Sequence, residues 1–282
     1  MNPVLKYRGG KSREIPQFSR YIPKQYGRYL EPFLGGGALY FYLEPEHAVL
    51  NDINPRLMNF YRDLRDRYPQ MRLQLEELQT LYEKNQAEYR RLKEQHPEAH
   101  VPNANEELYY RMRELYNHPD GTYLESVLYY FINKTAYSGM IRYNRNGEYN
   151  VPFGRYQHLN TGIVTAQHSS LLQNAQLLCG DYSAVFERAQ PDDFMFLDPP
   201  YDCVFNDYGN QQLENGFDET QQRRLAADFK NLRCRALMVI GGTSLTRELY
   251  QGYIAGEYGK TYAVNIRNRF RHESTHLILC NY

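Results

Sequence analysis

Apolar residues fall along this chain in two patterns. In one they form short, nearly unbroken runs: Tyr29-Leu30, Ala48-Val49-Leu50, Leu177-Leu178-Cys179, Phe194-Met195-Phe196-Leu197 and Ala236-Leu237-Met238-Val239-Ile240. Runs of that length, closed by turn residues, predict strands buried on both faces of a parallel sheet. Residues 262–266 and 277–279 predict closing strands. In the other pattern Leu75, Leu78, Leu81, Tyr82, Tyr89 and Leu92 recur at helical spacing among charges. Further helices are expected from near Ala38, over 106–116, over 122–135 and over 218–231, with a loop at Pro97, Pro102, Asn103 and Asn105. The helical stretch from Pro55 to about Thr135 interrupts the alternation of strand and helix. The pattern therefore predicts an α/β, doubly wound sheet carrying a helical insertion. The first part of the sheet domain is residues 1–54, the insertion with a hairpin loop is 55–161, and the second part is 162–282.

The 194–197 run ends on Asp198-Pro199-Pro200-Tyr201. Adjacent prolines fix φ and cannot donate to a ladder, so the strand stops there. A stiff loop at the carboxyl end of a central strand is where open α/β sheets bind ligands. It offers a carboxylate, a prolyl carbonyl and an aromatic face. Two acceptors can hold the hydrogens of an aromatic amine whose lone pair is otherwise delocalised, while a ring stacks on the base.

The run 29–30 leads into Glu31-Pro32-Phe33-Leu34-Gly35-Gly36-Gly37-Ala38, a strand, a glycine-rich turn and a helix start. This is the form of a nucleotide-type site. It is neither a P-loop nor G-x-G-x-x-G, and the absence of a lysine for phosphate favours a ligand without phosphate. The next predicted strand ends on Asp52, an acid placed to hold ribose hydroxyls or, more plainly, to stand near the helix start before Pro55. Asp181, after the strand at 177–179, is an acceptor for an adenine amine. Upstream, Lys6-Tyr7-Arg8-Gly9-Gly10-Lys11 combines a tight backbone turn with cations and an aromatic ring.

Charge sharpens the picture. The 282 residues carry a formal net charge of +0, yet the charge is uneven. Lys6, Arg8, Lys11, Arg13, Arg20, Lys24 and Arg28 face one acid, Glu14. Lys134, Arg142, Arg145 and Arg155 form a second basic stretch, and Lys260, Arg267, Arg269 and Arg271 a third. Acids gather between Glu76 and Glu125. Such asymmetry is the footprint of a nucleic-acid face on a neutral protein, and the three stretches are expected to form one face around Asp198. The second stretch sits on a loop, 137–155, turned by Asn146-Gly147, where arginine, asparagine and tyrosine suit phosphates and base edges. The chain has 28 Tyr and no Trp, and its four cysteines are scattered, which fits reduced thiols in a cytoplasmic protein. No apolar run reaches membrane-spanning length, and residues 1–12 lack a signal-peptide core.

His272-Glu273-Ser274-Thr275-His276 spells H-E-x-x-H. A zinc peptidase needs both histidines on one helix face. Here His276 runs into the strand-like 277–279, so no metal is expected.

Taken together, these motifs and their order resemble the Dam-type DNA adenine-N6 methyltransferases. The likeness spans nearly the whole chain. Asp198-Pro199-Pro200-Tyr201 is shared with other amino-methyltransferases, whereas the loop Arg142-Tyr143-Asn144 through Asn150-Val151-Pro152-Phe153-Gly154 is more specific. The resemblance implies a Rossmann-like methyltransferase sheet with a target-recognition insertion. It implies S-adenosylmethionine as methyl donor, S-adenosylhomocysteine as product, and double-stranded DNA as partner, with no membrane and no obligate protein partner. It implies Tyr7, Lys11, Glu31, Phe33, Gly35, Gly37, Asp52, Asp181 and Tyr182 around the donor, and Asp198, Pro199, Pro200 and Tyr201 around a flipped adenine. Lys6, Tyr137, Ser138, Met140, Arg142, Asn144, Arg145 and Pro152 match positions that approach DNA. The resemblance implies a short palindromic target, with GATC favoured; the chain departs from the family where Tyr7 replaces a frequent Trp and, in the recognition loop, where Ser138 and Met140 replace the common Asn and Leu. Methylation of cytosine N4 by the same fold, or a DNA-binding relative without catalysis, are the alternatives.

Overall fold

The computed structural model describes residues 1–7, 9–200, 217–261 and 273–282. Tyr201, the expected strand at 262–266, His272 and most of the third basic stretch lie outside them. The chain divides into two compact units, one of residues 11–34, 42–53 and 175–282, the other of residues 1–10, 35–41 and 54–174.

The first unit holds the whole sheet. Its strands are β1 (Tyr29–Glu31), β2 (Ala48–Asp52), β3 (Ala175–Cys179), β4 (Phe194–Leu197), β5 (Arg235–Gly241), β6 (Ile254–Thr261) and β7 (Glu273–Cys280), in the order β3-β2-β1-β4-β5-β7-β6. β1 to β5 are parallel, and β7 is antiparallel to both β5 and β6. The fold is the Rossmann-like α/β sheet expected from the apolar runs. The order reverses between β1 and β4, so the crevice beyond their carboxyl ends is the ligand position of such a sheet.

β4 shows why an unbroken apolar run is needed. Met195 and Leu197 face a core of Leu225 and Phe229 from α9 (Glu219–Lys230), Val185 from α8 (Ser183–Phe186), and Met238, Ile240, Leu277 and Leu279. Phe194 and Phe196 face the other way, against Tyr29 and against Phe18 of α1 (Ile15–Phe18). Entry into β4 is fixed by Asp193, which accepts from Arg28 Nε at 3.1 Å, Arg28 Nη2 at 2.7 Å and the Gln190 amide at 2.7 Å. α10 (Ser244–Leu249) follows β5 behind a Thr243–Thr246 capping box.

The second unit is helical. α2 (Ala38–Leu43) begins in it, followed by α3 (Pro55–Asp66), α4 (Tyr68–Gln95), α5 (Ala104–Asn117), α6 (Glu125–Thr135) and α7 (Ala166–Gln173). Asn54 caps α3, accepting from the amides of Arg56 and Leu57, and Pro55 occupies the first helical turn. α6 is buried all along Ser126–Thr135, as expected of the central helix of a cluster. It packs on α3, where Phe60 meets Tyr129 and Tyr130, and on α5, where Tyr116 meets Tyr129. The helix expected over 122–135 starts at Glu125, because Gly121 at φ 85° and the turn after it hold the backbone out of the helix. No helix among the described residues is long and apolar enough to cross a membrane.

Candidate active site

Asp198 is the first residue past β4, and Lys11 comes to meet it. The Lys11 ammonium lies 2.7 Å from Asp198 Oδ1 and 2.9 Å from Oδ2. The Lys11 side chain is 2% exposed and that of Asp198 22%, so the lysine is sealed behind the carboxylate while the carboxylate keeps an open edge. Burial holds the Asp198 carboxyl above the usual carboxylate range, while Lys11 draws it back down. Lys11 thereby favours the ionised, hydrogen-accepting form. Pro199 is buried, and the Pro200 carbonyl accepts from Gln222 Nε2 of α9 at 3.1 Å, which fixes the loop to the helix behind it.

The expected donor residues sort between the two units. In the sheet unit, Asn51 ties the carboxyl ends of three strands together. Its Nδ2 donates to Pro32 O at 3.0 Å and to Gly180 O at 2.9 Å, its backbone carbonyl accepts from the Leu34 amide at 2.8 Å, and Asp52 O accepts from the Gly180 amide at 3.2 Å. Phe33 follows β1, Asp52 ends β2 and Asp181 comes after β3. Phe33 lies 5.3 Å from the Tyr182 ring and 6.1 Å, edge-on, from Phe217, which makes an aromatic wall. Glu31 is buried and accepts from Tyr29 Oη at 2.9 Å. Asn54, not Asp52, caps α3.

Asp181 is engaged by Arg224, with contacts of 2.9 and 3.1 Å, and by the Ser183 amide. Burial raises its carboxyl, but these hydrogen bonds outweigh that and hold it below the usual range. Tyr182 donates to Asp228 at 2.7 Å; burial and that carboxylate push its phenol far up, so the ring stays neutral.

In the helical unit, Gly35 and Gly37 have φ of 49° and 65°, and a Cβ on Gly35 would meet the Tyr7 ring at 2.8 Å. Only glycine admits both that conformation and that approach. Tyr61 Oη donates to Gly35 O at 3.0 Å.

The positions matched to DNA contacts all lie in the helical unit. Asn133 pins Lys6, accepting from its amide at 2.9 Å and donating to its carbonyl at 2.7 Å. Lys6 Nζ lies 3.9 Å from the centre of the Tyr156 ring. Lys134 is buried beside it, and burial, with Lys6 adding its like charge, draws the Lys134 ammonium down to about 8.

Tyr137 is 46% exposed, its amide bonded to Pro152 O at 2.9 Å. Ser138 sits in the left-handed region at φ 53°, next to Gly139 at 61°. Met140 O accepts from Tyr149 Oη at 2.7 Å. The hairpin closes by the antiparallel bridge Tyr143–Tyr149. Asn144 is its turn-maker: Oδ1 accepts from the amides of Asn146 and Glu148, and Nδ2 donates to Glu148. Arg142 is exposed and held against Asn150 by Nε at 2.8 Å and Nη2 at 3.2 Å. Arg145 is exposed.

Several of these groups the sequence pattern does not single out: Asn51, Asn133, Phe217, Gln222 and Arg224. Asn51 adjoins Asp52, which is a local signal; Arg224 gives none, since its partner is distant in sequence. The H-E-x-x-H pattern resolves as expected for His276, which lies on β7 and not on a helix. Among the described residues no cluster of His, Cys, Asp and Glu is placed to hold a metal.

A seven-stranded, mostly parallel sheet with a glycine turn after β1, an acid at the end of β2 and another after β3, and Asp-Pro-Pro after β4 defines a Rossmann-like methyltransferase acting on an amine. Residues 7–266 match the D12 class N6 adenine-specific DNA methyltransferases, and the chain belongs to that family. It is 35% identical over 290 residues to the Type II methyltransferase M.CviBI of Paramecium bursaria Chlorella virus NC1A, covering 100% of both chains. It is 30% identical to the Type II methyltransferase M.MjaIII of Methanocaldococcus jannaschii, over 100% of this chain and 99% of that one. The DNA adenine methylase of Salmonella typhi is 32% identical over 88% of this chain and 83% of its own. The protein is thus an adenine-N6 DNA methyltransferase, and its family implies S-adenosylmethionine as donor. Membership sets aside the cytosine-N4 alternative.

Proposed function

We propose that the protein methylates N6 of an adenine rotated out of duplex DNA, within a short palindrome for which GATC is the leading sequence. The observation that carries the reading is Asp198 at the carboxyl end of β4, paired with buried Lys11 yet open on one edge.

S-adenosylmethionine, when bound, supplies an electrophilic methyl group on a sulfonium. The residues at the sheet's carboxyl edge suit it. The Phe33–Tyr182–Phe217 wall holds an adenine ring, Asp52 takes ribose hydroxyls, and Asp181 accepts from a ring amine. Lys11, which contacts Asp198, serves the acceptor more directly than the donor. Glu31, Tyr7, Gly35 and Gly37 complete the proposed donor set.

At the target, Asp198 accepts one hydrogen of the amine and the Pro199 carbonyl the other. Two acceptors set at tetrahedral angles localise the nitrogen lone pair toward the methyl group. Asp198 then receives the proton that the nitrogen loses as its bond to the methyl carbon forms and the carbon–sulfur bond breaks, leaving S-adenosylhomocysteine. A group paired inside a duplex cannot reach two protein acceptors and a third axis at once, so the base must leave the stack. Tyr201 stacks on it, and Tyr137 fills or flanks the gap.

Residues 55–161 serve as the recognition insertion. Arg142 is the proposed reader of guanine, since its fork matches the two major-groove acceptors and Asn150 already fixes its plane. Lys6, Ser138, Met140, Asn144, Arg145 and Pro152 complete the DNA set, with Asn144 acting chiefly by shaping the turn. Sequencing methylated sites in DNA from cells expressing the protein tests the target. Arg142→Ala is expected to relax the choice at one base pair, at a loss of about 1–3 kcal/mol. Equal weakening on every sequence would make Arg142 a phosphate contact instead.

A further inference from the structure

The residue that carries Lys11 to Asp198 is held from behind by a cluster that no motif of the family explains. Residues 11–15 form one turn: the Lys11 carbonyl accepts from the Glu14 amide at 2.7 Å and from the Ile15 amide at 3.0 Å. Lys11 and Glu14 leave that turn in different directions. Lys11 reaches the acid after β4. Glu14, 7% exposed, reaches the antiparallel end of the sheet. Its Oε2 accepts from Tyr258 Oη of β6 at 2.7 Å and lies 2.8 Å from His276 Nδ1 of β7. His276 is 0% exposed, and its Nδ1 also lies 3.3 Å from Tyr258 Oη. The two aromatic rings meet edge-on at 5.3 Å.

A buried carboxylate with a phenol and an imidazole on one oxygen is a rigid anchor, because moving it strands a charge in an apolar setting. Every atom of this chain of contacts, from β7 to Asp198, lies in the sheet unit. It also gives the second histidine of the H-E-x-x-H pattern a role: an anchor for Glu14, not a metal ligand.

We propose that Glu14 and His276 are positioning residues for the methyl-transfer step, holding the 11–15 turn so that Lys11 is aimed at Asp198. The inference rests on the reading of Asp198 as the acceptor of the target amine. The charges that reach Asp198 are Lys11 and Glu14 on the turn and His276 on β7; Tyr258 on β6 faces Glu14. Besides its alignment role, the cluster biases the acid electrostatically: Glu14 pushes the Asp198 carboxyl up and His276 draws it down.

The experiment measures kcat, the KM for S-adenosylmethionine, and the pH profile of kcat for the full chain and its Glu14→Gln, His276→Asn and Tyr258→Phe variants, with Asp198→Asn alongside. Misplaced alignment is expected to lower kcat roughly ten- to a hundred-fold in Glu14→Gln, with the donor KM little changed. The acid limb of the profile moves to lower pH in Glu14→Gln and to higher pH in His276→Asn. A purely structural role would not move the two limbs in opposite directions. Should Glu14→Gln or His276→Asn fail to fold, Tyr258→Phe keeps the ring and removes one hydrogen bond. It is expected to fold and to lower kcat several-fold. Wild-type kcat and an unshifted limb in the folded variants overturn the inference, as do limbs that shift the same way. If Asp198→Asn is inactive while Glu14→Gln matches wild type, only this inference falls. If Asp198→Asn still turns over, the reading of the site falls first.

Discussion

Lys11 and Asp198 show how one contact sets a chemical state. The carboxylate lies where burial favours its neutral form, and a neutral acid is a weaker acceptor and cannot take the proton the amine gives up. The ammonium at 2.7 Å opposes that. Removing it in Lys11→Met leaves desolvation unopposed, so the Asp198 carboxyl rises further and the acid limb of kcat moves to higher pH. Turnover at neutral pH is expected to fall by roughly a hundred-fold. A pH–rate profile at saturating donor checks this; an unmoved limb contradicts it. The same physics with opposite charge governs Lys134. Its folded value of about 8 lies below the ordinary lysine value, so its charge opposes folding below that pH, and the opposition fades as pH rises. DNA phosphate has the reverse effect, since an anion favours the ammonium. DNA affinity is therefore expected to weaken as pH rises from 7 to 9 at fixed salt, and Lys134→Met to flatten that dependence. Fluorescence anisotropy with a duplex probe reads both.

At the scale of elements, the strand–turn–helix from β1 to α2 depends on two positive-φ glycines and on a ring lying against one of them. Gly35→Ala would place its Cβ 2.8 Å from Tyr7 in a left-handed conformation. Strain of about 1–2 kcal/mol, together with a displaced ring, is expected to lower stability and to weaken S-adenosylmethionine binding. Calorimetry of donor binding beside a thermal melt separates the two effects. β1, β2, β4 and β5 were legible in the sequence because strands buried on both faces are largely apolar, as Phe194–Leu197 is, whereas β3, expected to be buried on both faces, is an edge strand with Gln176 and Cys179 exposed. β6 was not. It carries Gly256, Glu257, Gly259 and Lys260, so neither an apolar run nor an alternation marks it, and pairing with β7 creates it. α6 is legible as a helix but not to its first residue, since Gly121 sets the start from outside the periodic segment.

On the scale of the whole molecule, the chain order of the motifs carried the family, and the sheet order carried the fold. Asp52 ends a parallel strand and Asp181 and Asp198 come after two others, and that placement was readable from where the apolar runs stop. Contacts between distant positions were not readable: Arg224 on Asp181, Asn133 around Lys6, Gln222 on Pro200, and the Glu14–His276 pair. Each joins residues whose approach only the folded sheet or helix cluster decides. The basic stretches were visible as charge, but part of the first and most of the third lie outside the described residues, so the expectation of one continuous face stands as a proposal.

The central claim is that Asp198 accepts the target amine for transfer to adenine N6. Mass analysis of nucleosides from duplex DNA treated with S-adenosylmethionine and either wild type or Asp198→Asn, with donor binding measured on both proteins, tests it most directly. The account predicts N6-methyladenine from the wild type, none above background from Asp198→Asn, and similar donor affinity for the two. N6-methyladenine formed at comparable rates by Asp198→Asn would contradict it.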